Sequence, residues 1–311
     1  MVKQWSSGGF MVSLVLAAAC WGFGAVMSKY ALEQIPPLTL LIIQLVVSVA
    51  LLWLAVLAQG VRIRLNRDTV RLGLIGILNP GLASMFSLIG LSRTTASISA
   101  LLWAAEPILI IGFAWFLLGE RLTRPVLVCA AFAIAGVVMI AGIDMAAGAG
   151  NSLLGNLLIV AGVCCCALYT VLTRRSVAQL APLAIVALQQ TAALVVALLI
   201  WPVEWRGGMS TQLAAVRFTA WAWGAAGGLV YYALAFWFYI VGLQRAPASL
   251  AGLFLNLIPI FGLGGAYLFL RERLAPAQWL GALVILAAVV AIVRLQHAEP
   301  GAMPEVLPAN S

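Results

Sequence analysis

Glu106 is the only carboxylate near the middle of a long apolar run in this chain. It shares one helical face with Ser99 and Trp103, because the three residues stand at positions i+7, i and i+4 of the same run. A polar group at the mid-depth of a bilayer is costly, so it needs a reason to be there. This placement predicts a proton or cation site, or a partner for a ligand's ammonium group. The alternative interpretation is a protonated Glu bonded to a neighbouring helix.

Amide side chains occupy further positions inside apolar runs. Gln44 and Gln190 stand at equivalent places in two separate runs, as a cavity between two related halves would require. Hydrogen bonding between helices is the alternative interpretation of both. Asn79 aligns with Tyr231 in a later run, and Asn256 lies in the run after that one. We expect these residues to contribute polar groups to the same central site.

Aromatic residues inside the apolar runs could stack on aromatic or cationic ligands, although packing between helices is their more common role. Lys29 and Arg175 are also equivalent residues, and snorkelling to the headgroups explains them without a ligand. We predict no catalytic residue, no metal site and no cofactor. The aromatic candidates are Trp21, Trp103, Tyr169, Tyr231 and Trp237, and the full predicted binding set is Glu106, Gln44, Gln190, Asn79, Asn256, Trp103, Trp21, Tyr231 and Tyr169.

The composition is that of a protein whose solvent is lipid. Of its 311 residues, 64% are hydrophobic and only 8% are charged. The surface of a soluble protein of this size would need far more charge. The net charge of +8 is spread over short connecting segments, which disfavours nucleic acid as a partner and fits membrane orientation. The five cysteines lie inside apolar stretches without metal-binding or disulfide spacing.

Ten segments are long and apolar enough to cross a membrane as helices. With the N-terminus placed inside, the inner connecting segments hold more Lys and Arg than the outer ones, so we expect both termini in the cytoplasm. The predicted spans are 10–31, 38–58, 70–90, 96–118, 124–143, 153–173, 182–202, 219–243, 248–270 and 275–295.

The second half of the chain repeats the first. Residues 90–122 align without gaps to 242–274, with 14 of the 33 positions identical, including matched charges and prolines such as Arg93 with Arg245 and Pro107 with Pro259. We therefore divide the chain into a cytoplasmic N-terminus (1–9), a first five-helix repeat (10–143), a connecting loop (144–152), a second five-helix repeat (153–295) and a flexible cytoplasmic tail (296–311).

Five spans per repeat is an odd number, so the second repeat must enter the membrane from the opposite side. Such inverted repeats are typical of secondary transporters, in which two copies of opposite orientation exchange inward-open and outward-open shapes. The fold prediction is an all-α membrane protein with ten transmembrane helices arranged as two inverted five-helix repeats.

Three stretches resemble one known family: CWGFGAVMSKYALEQIPPLTL near the N-terminus, EPIL with the following LLGERLT, and the second copy IPI with FLRERLA. They are similar to the EamA-type branch of the drug/metabolite transporter superfamily, over roughly residues 10–295. The resemblance implies ten helices, cytoplasmic termini, a central cavity between the halves, and export of small metabolites such as amino acids or drugs. Many relatives carry an Arg where this chain has Gln44, so an anion-binding role of that Arg is not carried over.

The chain lacks the residues that other functions of membrane proteins would need. The only histidine, His297, lies beyond the last span, and Asp68 and Asp144 lie in loops, so we do not expect an intramembrane enzyme. A pump driven by ATP would need a phosphate-binding loop that this chain lacks. We predict export of small amphipathic metabolites by alternating access, with proton coupling through Glu106 as an option. A passive facilitator or channel, or a flippase for lipid-linked substrates, remains the alternative.

These features also predict the partners and the location of the protein. The partners are a small-molecule substrate and membrane lipids, with no nucleic acid, and the location is a bacterial inner (plasma) membrane. The substrate, the coupling ion and the oligomeric state stay open at this point.

Overall fold

The structure is a computed structural model that describes most of the helical part of the chain. The described residues are 9–61, 63, 66–91, 102–103, 106–119, 124, 127–128, 130–132, 135, 153–176, 180–205, 215–269, 280, 283–284, 286–288 and 290–291. Regular structure within these ranges is entirely helical, which confirms the predicted all-α membrane fold. Most of the predicted spans 124–143 and 275–295 lies outside the described residues, as does Ser99.

Six of the described segments are long and apolar enough to cross a membrane: Gly9–Leu32, Pro37–Ala58, Arg67–Ser87, Leu153–Arg174, Pro182–Glu204 and Phe218–Leu243. The α-helices within the described residues are α1 (Gly9–Leu32), α2 (Pro37–Ala58), α3 (Arg67–Leu74), α4 (Ala83–Leu91), α5 (Glu106–Leu118), α6 (Leu153–Ser176), α7 (Pro182–Trp205), α8 (Phe218–Gly227), α9 (Ala235–Leu243), α10 (Ala248–Phe254) and α11 (Ile258–Phe269).

Local sequence sets the starts of two of these helices. Pro36 has extended backbone angles and Pro37 occupies the first helical turn of α2, where a missing N–H costs nothing. The side chain of Asn66 accepts a hydrogen bond from the backbone N–H of Thr69 at 2.8 Å and so caps α3. Away from such ends, the helix is the form that satisfies every backbone polar group without water.

Two spans predicted as continuous helices are interrupted by π-helical segments, and a third, 248–270, is interrupted by the 3₁₀ turn Leu255–Leu257 between α10 and α11. A 3₁₀ turn (Ile75–Ile77) and a π-helical segment (Leu78–Leu82) separate α3 from α4, and another π-helical segment (Gly228–Leu234) separates α8 from α9. Pro80 lacks a backbone N–H and explains the first interruption. The second contains no proline, so its cause lies in the packing around it.

The packing of the helices follows a two-fold pattern that exchanges the halves of the chain. The first helix of the first half, α1, packs against α9 and α11, and the first helix of the second half, α6, packs against α4 and α5. The second helices, α2 and α7, pack against each other. Each half therefore contributes its first and second helices to the interface with the other half.

The helices α2 and α7 run in opposite directions. The N-terminal residue Leu38 of α2 contacts Glu204 near the C-terminal end of α7, whereas Ser48 in the middle of α2 contacts Gln190 nearer the start of α7. Because α2 and α7 are equivalent helices of the two repeats, their antiparallel pairing is the structural form of the inverted repeat that the odd number of spans predicts.

Glycines let the interrupted spans approach the second helix of the opposite half. A Cβ on Gly228 would lie 2.6 Å from the backbone oxygen of Gln44, and a Cβ on Gly76 would collide with the backbone of Gln189. These two glycines occupy equivalent positions in the repeat. The close approach of backbones at both places brings the interrupted segments to the centre of the protein.

Candidate functional site

The interrupted segments carry two of the predicted site residues. Asn79 lies in the segment Leu78–Leu82 with extended backbone angles (φ −149°, ψ 125°), and Tyr231 lies in the segment Gly228–Leu234. A break in the regular helix frees backbone groups and turns these side chains away from the regular helical direction. Both side chains retain partial exposure, so they can contact a ligand.

A hydrogen-bonded cluster joins the two halves at this level. The side-chain amide of Asn79 donates to the sulfur of Cys166 at 3.1 Å, and the thiol of Cys166 also shares a hydrogen bond with the carboxyl group of Glu106. Asn79 and Glu106 belong to the first repeat, whereas Cys166 lies on α6, the first helix of the second. Cys166 is not among the residues predicted from the sequence, although it stands in register with Cys20 and is bonded to the predicted acid.

The Glu106 carboxyl group is buried, with only 7% of the residue exposed. Its Oε1 atom has no hydrogen-bond partner, and no Lys, Arg or His of the described chain forms an ion pair with it. An isolated carboxylate in a low-dielectric surrounding is unfavourable by several kcal/mol, in order-of-magnitude terms. A proton on the carboxyl group or a cation beside it removes this penalty. The bond to Cys166 on α6 also fits the alternative, a protonated Glu bonded to a neighbouring helix, so both interpretations of Glu106 stay predictions.

Two tyrosines of the second repeat lie near this acid, and both belong to a cluster of rings from the two repeats. Tyr231 and Tyr239 lie within electrostatic reach of both Glu106 and Cys166. The ring of Trp21 meets the ring of Tyr239 edge-on at a centroid distance of 5.2 Å, and Tyr169 packs against Phe236 at 6.0 Å. The two tyrosines near the carboxyl group therefore belong to a larger cluster of rings, and rings of this kind can bind an organic cation.

Gln190 has a structural part in this arrangement. It is completely buried, its Oε1 accepts a hydrogen bond from the hydroxyl of Ser48 at 2.6 Å, and its Nε2 donates to the backbone oxygen of Tyr232 at 2.7 Å. That oxygen belongs to the π-helical segment Gly228–Leu234, so the amide satisfies a backbone group of the interruption. Its equivalent, Gln44, donates to the hydroxyl of Ser28 at 2.8 Å.

The neighbouring Gln189, which is not among the predicted residues, contacts the first interrupted span in a similar way. It donates to the backbone oxygen of Leu72 at 3.2 Å and accepts a bond from the hydroxyl of Tyr169 at 3.0 Å. Tyr169, a predicted ligand contact, is thus tied to α7 through its polar end. The pair Gln189–Gln190 was visible in the sequence, but only the packing shows that each amide faces a different interrupted span.

The described hydrogen bonds do not connect the remaining predicted residues to this cluster. Asn256 is buried in a 3₁₀ turn (Leu255–Leu257), where its amide donates to the backbone oxygen of Leu253 at 3.1 Å. Trp103 is half-buried, and Trp237 stacks on its neighbour Phe238 at 5.3 Å. The side chains of Lys29 and Arg175 lie outside the described part of the structure.

A second acidic residue closes one end of the interface between the halves. The carboxylate of Glu204 accepts hydrogen bonds from the backbone N–H groups of Leu38 at 3.0 Å and of Thr39 at 2.9 Å, and from the Thr39 hydroxyl at 3.1 Å. Trp201 donates its indole N–H to the same hydroxyl. The predicted span 182–202 excludes Glu204, whereas α7 continues to Trp205 and brings Glu204 to the start of α2.

Comparisons with known proteins agree with this architecture. The sequence profile of the EamA-like transporter family matches residues 9–142 and 153–294. Two proteins of Bacillus subtilis (strain 168), named as the uncharacterized transporters YetK and YvbV, are 26% identical over 300 residues (95% of this chain, 90% of YetK) and 27% identical over 310 residues (97% of each chain).

A solved structure shares the fold. It is described only as the crystal structure of a protein, and it superposes with a TM-score of 0.77 at 20% identity, covering 94% of this chain and 99% of its own. At that level of identity the match concerns the fold alone.

Proposed function

Because this chain belongs to the EamA-like transporter family, we propose that it is a secondary transporter that exports small metabolites by alternating access. The substrates are amino acids or related amphipathic compounds. The protein binds a substrate from the cytoplasm in its inward-open shape and releases it outside in its outward-open shape. Both termini lie in the cytoplasm, the five-helix repeats span 10–143 and 153–295, and the protein resides in a bacterial inner membrane.

The observation that carries this proposal is the buried carboxyl group of Glu106 at the interface of two inverted halves. Its Oε1 atom is unpaired, and Cys166 joins it to the second half. Two inverted repeats can exchange their conformations by rocking about such a central site, which alternately faces the two sides of the membrane. The antiparallel helices α2 and α7 supply the axis about which the halves rock.

The substrate contacts come from groups that approach the carboxyl group from both halves. The proposed contacts are Asn79, which shares Cys166 with Glu106, and Tyr231, together with Trp21 and Tyr169 from the neighbouring aromatic cluster. Gln44, Gln190, Asn256 and Trp103 complete the predicted site, the two glutamines by holding the interrupted spans in place. A proton on Glu106 replaces the substrate during the return step, which couples export to proton entry.

Glu106→Gln tests the coupling because the amide cannot release a proton. We expect the variant in proteoliposomes to lose uptake driven by a pH gradient, while exchange of substrate for substrate is reduced less. Glu33→Gln, at an exposed carboxyl group outside the site, is the matched control and should transport normally. Transport by the Glu106 variant that equals that of the wild type at several pH values would refute the coupling.

The same assay separates the alternatives. A passive carrier would show counterflow and would equilibrate its solute at a rate independent of the pH gradient. A channel would also ignore the pH gradient but would show no counterflow. A counterflow screen with amino acids and organic cations on the purified protein names the substrate.

A further inference from the structure

We propose that the exposed face of α3 binds an anionic glycerophospholipid, with the lipid phosphate between two arginines and an acyl chain on the apolar side chains beside them. The lipid face of α3 consists of Arg67, Val70, Arg71 and Leu74. These residues stand at positions i, i+3, i+4 and i+7, so they lie on one side of the helix. The binding surface is on the outside of the protein and depends neither on the substrate nor on the mechanism of transport.

Burial separates the lipid face from the packed side of α3. The helix packs against α7, and its buried residues are Thr69, Leu72 and Gly73. On the lipid face both arginines are exposed, and Val70 and Leu74 are 49% and 51% exposed. The side chains of the lipid face are therefore not used for packing within the protein, and in a membrane they meet lipid.

The packing on α7 places the arginines at a membrane surface. A Cβ on Gly73 would lie 3.3 Å from the Cβ of Leu188, which is six residues after the start of α7. Gly81 lies beside Ala193, further along both spans, so the two spans run in the same direction. Arg67 also precedes Gly73 by six residues, about 9 Å along a helix axis. Arg67 is therefore level with the first turn of α7, where that membrane span begins.

The charges of the lipid face suit a phosphate group. Side chains four residues apart on a helix are neighbours, so one phosphate can accept hydrogen bonds from both guanidinium groups. Arg71 forms an ion pair with Asp68 at 3.8 Å, but the two side chains are 77% and 61% exposed, and such a pair is weak. Within the described residues Arg67 forms no ion pair. Both arginines are therefore available to a ligand.

The sequence before α3 adds to this positive charge. Arg62 and Arg64 precede the helix, so residues 62–71 contain four arginines and one acid, Asp68. A basic cluster of this size directly beside a membrane span attracts anionic lipids. The charge of the segment thus favours a lipid with a net negative headgroup over a zwitterionic lipid, whose own ammonium group neutralises its phosphate.

The apolar half of the lipid face requires a ligand with a hydrocarbon chain. Val70 and Leu74 lie about 5 and 10 Å further along the helix axis than Arg67, on the side of the bilayer interior. A free phosphate ion would contact the arginines and leave these two side chains uncovered. A glycerophospholipid contacts both parts at once, because its phosphate is joined to acyl chains that extend in the same direction.

Lipid titration into the purified full-length protein in an uncharged detergent tests the proposal, with bound lipid resolved by native mass spectrometry. The two lipids are dioleoyl phosphatidylglycerol and dioleoyl phosphatidylcholine, which share their chains and differ in net charge. We expect the anionic lipid to bind more than about fivefold tighter. Equal binding of the two lipids overturns the proposal. Glycerol 3-phosphate, which has the phosphate without chains, should not compete, and displacement of the lipid by it at similar concentration overturns the role of the apolar half.

Replacing the arginines locates the site. Arg67→Gln and Arg71→Gln should each weaken binding of the anionic lipid by about fivefold, and the double variant by about 25-fold, while binding of the zwitterionic lipid stays the same. Arg217→Gln is the matched control, because Arg217 is an exposed arginine at the start of another helix, α8. An equal loss in Arg217→Gln would show a general attraction to positive charge and would overturn the assignment to α3.

Asp68→Asn gives a result that poor folding cannot imitate. The substitution removes the negative charge beside Arg71, so the anionic lipid should bind up to about fivefold tighter than to the wild type. Higher salt should weaken binding to the wild type, because exposed charges are screened. Binding to Asp68→Asn that is unchanged or weaker, or binding to the wild type that is insensitive to salt, overturns the contact between the phosphate and the arginines.

Discussion

Gln190 is bonded at both ends of its side chain although none of its surface is exposed. Its amide links the hydroxyl of Ser48 on α2 to the backbone oxygen of Tyr232 in the segment Gly228–Leu234. Gln44, at the equivalent position, has Ser28 as its one side-chain partner among the described contacts, and the Ser28 hydroxyl also donates to the backbone oxygen of Gly24. Two residues that the repeat makes equivalent therefore differ in how many partners depend on them.

Replacing Gln190 should destabilise the protein more than replacing Gln44. Gln190→Leu leaves the Tyr232 oxygen and the Ser48 hydroxyl without their partner, and each orphaned group costs about 1–3 kcal/mol. Gln44→Leu leaves a Ser28 hydroxyl that keeps one bond. The measurement is the apparent melting temperature in detergent, with the exposed Gln59→Leu as control. Equal melting temperatures for the two variants would show that the Gln190 network is not stabilising.

At the scale of helices, Glu204 caps a helix that belongs to the other half of the chain. The start of α2 has no side-chain cap of its own, because the residue before it is Pro36. The first N–H groups of a helix need an acceptor, and the negative charge of Glu204 also suits the positive end of the helix dipole. The contact therefore stabilises α2 and holds the halves together at one membrane face.

Glu204→Ala should lower the stability by about 1–2 kcal/mol, the usual size of a lost N-cap. The stability of Glu204→Gln should lie between that of Glu204→Ala and that of the wild type, because an amide has one acceptor oxygen where the carboxylate uses two. Thermal unfolding in detergent measures both, and Glu33→Ala removes an exposed carboxyl group as the control. A melting temperature unchanged in Glu204→Ala would contradict the capping role.

Gly228 controls how closely the interrupted span approaches α2. Gly228→Ala would place its Cβ 2.6 Å from the backbone oxygen of Gln44, so the helices must separate, at about 1–3 kcal/mol for overpacking. Gly112→Ala is the matched control, since a Cβ there meets nothing within 4 Å. We expect a lower yield of folded protein and a lower melting temperature for Gly228→Ala, and no change for Gly112→Ala. Similar behaviour of the two variants would mean that the backbones do not need this close approach.

At the scale of the whole molecule, the contacts between helix ends sort the connecting segments onto two faces. The side chain of Gln34 accepts a bond from the backbone N–H of Arg217, so the end of α1 and the start of α8 share a face with the Glu204 contact. The side chain of Gln244 donates to the backbone oxygen of Leu180, so the end of α9 and the start of α7 share a face as well. Because α7 connects Leu180 to Glu204, these two faces are opposite.

Labelling of single cysteines tests this arrangement and its orientation together. In a variant without the native cysteines, Glu33→Cys should react with a membrane-impermeant maleimide added to intact cells, whereas Gln59→Cys should react only after permeabilisation. Both positions are exposed at the ends of helices, so accessibility within the protein is comparable. The reverse pattern would place the termini outside, and reaction of both in intact cells would refute the opposite faces.

Much of the fold follows from the chain considered segment by segment. Apolar runs of about 20 residues must form helices in lipid, since no other form satisfies the backbone without water. The repeat of 90–122 at 242–274, with an odd number of spans in each copy, predicts the inversion that α2 and α7 display. Glu106 stands out because a carboxyl group is unusual at mid-span.

The rest of the fold and of the candidate site depends on which faces of distant helices meet. No local signal marks Gly228–Leu234 as an interrupted segment, which depends on Gln190 from α7 and on close contact with α2. Cys166 appears in the sequence as one of three adjacent small apolar residues, and Glu204 as a loop acid. Their hydrogen bonds to Glu106 and to α2 arise between residues 60 to 166 positions apart in the chain. Burial and pairing are properties of the packed interface, so only the tertiary structure assigns them.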